Sequence, residues 1–167
     1  MAAKSGINDL GLMPSVLDRL IDLEPRISTE PANNQYSTLD DLKVAVRRDL
    51  EWLLNTRKMV ADIPPEFEEL KRSVVTYGVP DISGVHIEHT VESANLRSAL
   101  ENAIKIYEPR FLDVVCTLEP LNSTDRQLRF KIEAKLDLDP VPEAMVFDTV
   151  LQLGSGAFAV KEGAGGS

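Results

Sequence analysis

The chain predicts an α+β fold, with N-terminal helices packed on one face of a small three-stranded antiparallel sheet. Three observations predict it. Apolar residues recur at helical spacing up to Tyr107. From Leu112 onward they alternate residue by residue. Between the two regimes lies a short corner, Tyr107-Glu108-Pro109-Arg110-Phe111. A chain of 167 residues is long enough for one domain with a real core and some extended ends.

Residues 1–34 read as an N-terminal arm. Within it Val16, Leu17, Leu20 and Ile21 fall on one face of a short amphipathic helix, with Pro14 near its start. So short a helix is marginal in water, so its apolar face needs a surface to dock on. The stretch from Glu24 to Asn34 has loop composition. A second helix is capped by Ser37 or Thr38, with Asp40 or Asp41 as the acidic partner. Leu39, Leu42, Val46, Leu50 and Leu53 form its apolar stripe, which Trp52 and Leu54 broaden. Ile63-Pro64-Pro65 breaks that pattern, and Pro65 opens a third helix predicted to reach Val75. A loop, Tyr77-Gly78-Val79-Pro80-Asp81-Ile82-Ser83-Gly84, follows.

The helix before the corner starts near Thr90 and carries Leu96, Ala99, Leu100, Ala103, Ile104 and Tyr107 on one face. Beyond the corner Leu112, Val114, Cys116 and Leu118 share one face of a strand, and residues 119–125 make a turn. The cleanest alternation follows. Leu128, Phe130, Ile132, Ala134, Leu136 and Leu138 point one way, and Arg129, Lys131, Glu133, Lys135 and Asp137 the other. A last strand sets Met145, Phe147, Thr149, Leu151 and Leu153 against Val146, Asp148, Val150 and Gln152. The domain is expected over residues 35–160, with 161–167 as a flexible tail. Three strands leave two open edges, and the last strand or the first is expected to accept a strand from a partner.

Composition narrows the function. A hydrophobic content of 43% and a charged content of 27% are those of an ordinary soluble domain. A formal net charge of −9 argues against nucleic acid and anionic membrane surfaces, which need a basic footprint. The single cysteine, Cys116, has no internal partner, which fits a reducing compartment. No run is apolar enough to span a bilayer, and Asp9 interrupts any secretory signal. A cytoplasmic location is the simplest expectation.

No catalytic constellation stands out. Glu108 paired with Asp113 or Glu119 would be the carboxylate pair of a glycosidase; a local salt bridge is the plainer reading. His86 and His89 lack the spacing of a zinc helix and a third ligand. Cys116 falls on the apolar face of its strand, as a core residue does. Gly154-Ser155-Gly156 opens no helix and reads as a turn or bulge. Arg129, Lys131 and Lys135 form a basic stripe that Glu133 and Asp137 interrupt. No metal or cofactor site is expected. What remains is the corner. Pro109 fixes its backbone, and Arg110 offers a planar donor fork to a partner's carboxylates or carbonyls. On that view Arg110→Ala is expected to spare the isolated fold and abolish assembly.

The corner, the upstream Tyr77-Gly78-Val79-Pro80-Asp81 loop and Phe147-Asp148-Thr149 together resemble the baseplate wedge family of contractile injection machines, whose hallmark is a Glu-Pro-Arg motif. The segment Pro14-Ser15-Val16-Leu17-Asp18-Arg19-Leu20 is similar to the opening of TssE-type members, which belong to type VI secretion. The resemblance spans most of residues 14–160. It implies a structural, non-enzymatic protein without cofactors, in a cytoplasmic baseplate docked at the inner membrane. The implied partners are the wedge subunits TssF and TssG, TssK as a further candidate, and contractile sheath subunits whose polymerisation it templates. Carried over as partner-binding residues are Glu108, Pro109 and Arg110, with Val16, Leu17, Leu20 and Ile21 as a docking segment. The alternative is a small lysozyme-like glycan hydrolase using Glu108. Turnover of peptidoglycan, lost on Glu108→Gln, would favour it.

Overall fold

A computed structural model describes residues 15–21, 25–26, 38–59, 63–81, 90–119 and 127–163. Pro14, Ser37, His86, His89, most of the 119–125 turn and the end of the tail lie outside the described residues. Three α-helices are described: α1 (Val16–Leu20), α2 (Leu39–Asn55) and α3 (Thr90–Tyr107). They precede four strands: β1 (Phe111–Leu118), β2 (Gln127–Leu136), β3 (Glu143–Gln152) and β4 (Ala157–Glu162).

The fold class is α+β, as predicted, but the sheet has four strands rather than three, antiparallel in the order β1-β2-β3-β4. The added strand follows Gly154-Ser155-Gly156, where Gly156 adopts φ +67 and the Gly156 N–H bonds the Gln152 carbonyl at 2.7 Å. That turn sends Phe158 and Val160 back onto the core. β4 includes Lys161 and Glu162, which the sequence suggested were tail. It also turns β3 into an inner strand, so Met145–Leu153 is not an edge; β1 and β4 are the edges.

Leu42, Val46, Leu50, Leu53 and Leu54 of α2 pack with Leu96, Leu100 and Ile104 of α3 into one core cluster. Phe130, Ile132, Phe147 and Leu151 of the sheet belong to the same cluster. Trp52, expected to broaden the α2 stripe, is exposed and lies under the Arg48 guanidinium, 4.9 Å from the ring centroid. Thr38 is the N-cap of α2, its hydroxyl accepting from the Asp41 N–H at 3.1 Å.

Two local expectations differ from the structure. The segment from Pro65 to Val75 is not an α-helix but turns followed by 3-10 segments at Leu70–Arg72 and Val74–Thr76. Phe67, Leu70, Val74 and Val75 are exposed, so no buried face holds an α-helix there. In β1, pairing jumps from Phe111↔Leu136 to Val114↔Ala134, which sets two residues, Leu112 and Asp113, against one. This bulge shifts the alternation by one residue. Phe111 is therefore buried and Leu112 exposed, the reverse of the predicted phase, whereas Val114 and Cys116 are buried as predicted.

Cys116 is fully buried. Burial foremost, then the Glu101 carboxylate, raises its thiol from an ordinary 9.0 to about 12, and Lys105 and Arg97 pull weakly the other way. An acid whose folded value is raised keeps its proton when the unfolded chain has lost it. Stability therefore falls as pH rises from about 9 to about 12. The expected slope from this thiol is at most about 1.4 kcal/mol per pH unit. Thermal unfolding across that window should fall less steeply for Cys116→Ala than for the native chain, and equal slopes would contradict the assignment.

Candidate functional site

The corner is built in three hydrogen-bonded steps. The Glu108 N–H makes the last helical bond, to the Ile104 carbonyl at 2.8 Å. The Phe111 N–H returns to the Glu108 carbonyl at 3.1 Å, closing a turn around Pro109. The Arg110 carbonyl then accepts from the Asp137 N–H at 2.8 Å, which fastens the turn to the end of β2. Proline fits here because its missing N–H interrupts none of these bonds.

The charges point inward. Glu108 is only 4% exposed. Its two carboxylate oxygens accept from Arg110 Nε at 2.5 Å and Nη2 at 2.6 Å. Arg110 Nη2 also donates to Asp49 Oδ2 at 2.7 Å, across 61 residues of sequence. Asp49 Oδ1 accepts from Arg48 Nε and Nη2 at 3.0 and 2.7 Å, and Arg48 Nη2 reaches Asp18 Oδ1 at 2.5 Å. The result is a chain of alternating charge, Asp18–Arg48–Asp49–Arg110–Glu108. It runs from α1 across α2 to the corner. Burial alone would favour a neutral Arg110, but Glu108 and then Asp49 outweigh it and hold the guanidinium charged well above its ordinary range. Arg48 is held charged in the same way by Asp49 and Asp18. Arg110 Nη1 is buried with no hydrogen-bond partner among the described residues.

Neighbouring segments converge on this chain. The Tyr77 and Tyr107 rings meet edge to face, with centroids 5.1 Å apart. Burial, followed by the charges of Asp49 and Glu108, raises the Tyr77 phenol. The Tyr107 hydroxyl donates to the Ser73 carbonyl at 2.9 Å and pairs with the Thr76 hydroxyl. Gly78 sits at φ +108, where a Cβ would lie 2.3 Å from the Thr56 carbonyl oxygen. Only glycine fits there, and it lets Val79 exchange hydrogen bonds with Thr56 and Lys58 at the end of α2. Phe111 meets Phe147 edge to face at 6.0 Å. The loop at Tyr77, the corner and the segment at Phe147 are therefore one neighbourhood in space.

Helix α1 lies at the other end of the charge chain. Ser15 and Asp18 form a capping box, the Asp18 N–H donating to Ser15 Oγ and the Ser15 N–H to Asp18 Oδ2, each at 3.1 Å. Asp18 turns to Arg48, so an ion pair ties α1 to α2. Val16 and Leu20 are left 74% and 76% exposed, Leu17 is also exposed, and Ile21 is half-buried. Asp49 was missed by sequence reasoning. Its one signal is an acid on the polar side of an otherwise well-patterned helix.

Among the described residues Glu108 and Asp113 do not form a carboxylate pair for hydrolysis. Both oxygens of Glu108 are occupied by Arg110, and Asp113 is exposed on β1 with Lys135 at 3.1 Å. No group of three or more His, Cys, Asp or Glu side chains with metal-binding geometry occurs among the described residues. The expectation that Arg110→Ala spares the isolated fold does not suit this geometry. Removing the guanidinium leaves Glu108 buried and unpaired, at a cost on the order of 3 kcal/mol. Denaturant unfolding of Arg110→Ala should show that loss, and a midpoint within error of the native chain would contradict it.

No helix among the described residues is long and apolar enough to cross a membrane. No curated protein gives a significant match to the chain. A family model described as baseplate wedge protein gp25 matches residues 40–141, more than half of the 167 residues. The match takes in α2, the Tyr77 loop, α3, the corner and the first two strands. The chain therefore belongs to the gp25 family of baseplate wedge proteins.

Proposed function

We propose that this chain is the TssE-type wedge component of a type VI secretion baseplate. In this reading it binds TssF and TssG, with TssK as a further candidate, and templates the first ring of contractile sheath at the cytoplasmic face of the inner membrane. The observation that carries the reading is the way α1 is held. A helix of five residues cannot hold itself, yet this one is tied to α2 through Asp18 and leaves Val16, Leu17 and Leu20 exposed. Exposed Val16, Leu17 and Leu20 suit a partner's apolar groove, as amphipathic helices commonly do.

The corner has a different part in this proposal. Glu108 and Arg110 are ion-paired within the chain, so the corner's surface contribution is shape, with Pro109 exposed and Arg110 half-buried beside it. Glu108, Pro109 and Arg110 would contact a wedge subunit as a rigid ridge rather than as a free charged fork. The arm reports its position to that ridge through Asp18, Arg48 and Asp49.

Co-purification with TssF and TssG tests the reading. Leu17→Ser with Leu20→Ser changes two exposed side chains, so stability should move by no more than about 0.5 kcal/mol. Recovery of the wedge subunits should fall at least about tenfold, which corresponds to roughly 1.4 kcal/mol of lost contact. Undiminished recovery would remove α1 as the docking segment. A native chain that captures neither subunit would remove the proposed role.

A further inference from the structure

The sheet is covered on one face only. α2 and α3 pack their apolar residues against its inner face. Both edge strands are met by helix side chains. The Asn55 amide donates to the Phe158 carbonyl and accepts from the Phe158 N–H, each at 2.9 Å, and Glu101 accepts from the Cys116 N–H at 2.9 Å. Nothing among the described residues covers the outer face. Its middle strand, β2, is charged, but the strands on either side present apolar residues. Leu112 and Val115 of β1 and Ala144 of β3 are exposed there, and Val146 of β3 is half-buried. The bulge is responsible for Leu112. A regular strand in the phase of Val114 and Cys116 would turn Val115 alone outward, whereas the bulge re-aims Leu112 to join it. Val141, in the connection from β2 to β3, adds an exposed apolar residue at the same end of the sheet.

These side chains line a groove of about 770 Å3. Val115, Glu133 and Val146 stand in one cross-strand row, and Lys135 and Ala144 pair in the next. The groove continues past β1 to Lys105, in the last turn of α3. Its charge differs from that of the chain. The chain has 27 acidic residues against 18 lysines and arginines, whereas the groove is lined by Lys105, Lys131 and Lys135 against Asp113 and Glu133. Both carboxylates are already paired, Asp113 with Lys135 at 3.1 Å and Glu133 with Lys131 at 2.9 Å. Asp148 and Glu119 add their negative charge at Lys131. Lys105 has no ion-pair partner among the described residues, so the available positive charge lies at its end of the groove.

We infer that this groove is a docking site for an amphipathic helix of another protein, whose apolar stripe meets Leu112, Val115 and Val146 and whose flanking carboxylate meets Lys105. An exposed apolar patch with a polar rim is the usual mark of such a site. The occupant is helical because the groove offers side chains and no backbone groups. β2 and β3 are inner strands, each paired with a neighbour on both sides. An extended segment laid over them would find nothing for its own N–H and carbonyl groups, whereas a helix satisfies them internally. The dimensions agree. From β1 to β3 is two strand spacings, about 10 Å, and a helix with its side chains is about 10–12 Å across. Apolar anchors one turn and two turns apart would follow the groove's length. The site shares no residue with α1 or with the chain of charges at the corner, so it stands apart from the role proposed above.

The test titrates the full chain with two synthetic helical peptides of about fifteen residues, long enough to hold a helix. Both carry leucine on one face; one has glutamate on the flanks and its twin has lysine there. Binding is followed by calorimetry and by amide shifts of the isotope-labelled chain. The glutamate peptide should shift Leu112, Val115 and Val146 and bind at least about tenfold more tightly than the lysine twin. Lys105→Glu should weaken it at least about tenfold, and Val115→Asp should abolish measurable binding. Both residues are exposed, so both variants should melt with the native chain. Should Val115→Asp fail to fold, Lys105→Glu decides alone. No binding, equal binding of the two peptides, or shifts that avoid the outer face would overturn the site. A dimer of the free chain in sedimentation, lost in Val115→Asp, would make a second copy the occupant and overturn the helix. Each of these failures leaves the docking of α1 standing.

Discussion

The Arg110 guanidinium is the group on which the arrangement depends. It lies where a helix ends, a proline turn begins and a sheet edge starts, and it holds two carboxylates from distant parts of the chain. Glu108 could not be buried at this point without it, because an unpaired carboxylate in the interior is strongly destabilising. Nor would α2 have a polar bond to the corner, since Asp49 reaches it only through Arg110. A proline turn alone gives a stiff bend. The bend has a defined direction because Arg110 fixes it against α2 and the Asp137 N–H fixes it against β2.

The same physics extends to the arm. Asp49 is shared between two arginines, and Arg48 passes the connection on to Asp18. Partly exposed ion pairs are weak singly, and a chain of alternating charge lowers the ordering cost of each member because its neighbours are already placed. This explains how so short a helix as α1 can be positioned with its apolar residues outward. The outward apolar residues of α1 are thereby connected to the corner that shapes the domain. Any partner that pulls Asp18 from Arg48 changes the surroundings of Asp49, and so those of Arg110.

Much of this was legible in the sequence, and the reasons differ by element. The alternation of β2 is regular because one face is core and the other water, so pattern and structure coincide from Leu128 to Leu136. The two long helices were legible from apolar spacing and, for α2, from its cap. β4 was hidden because its buried face shows only Phe158 and Val160, too short a run to declare itself after a glycine-rich turn. The bulge in β1 left no compositional mark, which is why Leu112 was assigned to the wrong face. At the corner, Glu108, Pro109 and Arg110 announced themselves by position. Their direction did not, because it depends on Asp49, a residue 61 positions from Arg110 that meets it only in three dimensions. The edge contacts of Asn55 and Glu101 were illegible for the same reason.

Corner and helix form one unit if Asp49 and Arg110 are energetically coupled through the bond between them. A double-mutant cycle on chemical unfolding, with Asp49→Ala, Arg110→Ala and the double variant, measures this directly. A coupling free energy of about 1 kcal/mol or more is expected, with the double variant less destabilised than the sum of the single variants. Strict additivity would contradict it, and would reduce the contact between α2 and the corner to mere proximity.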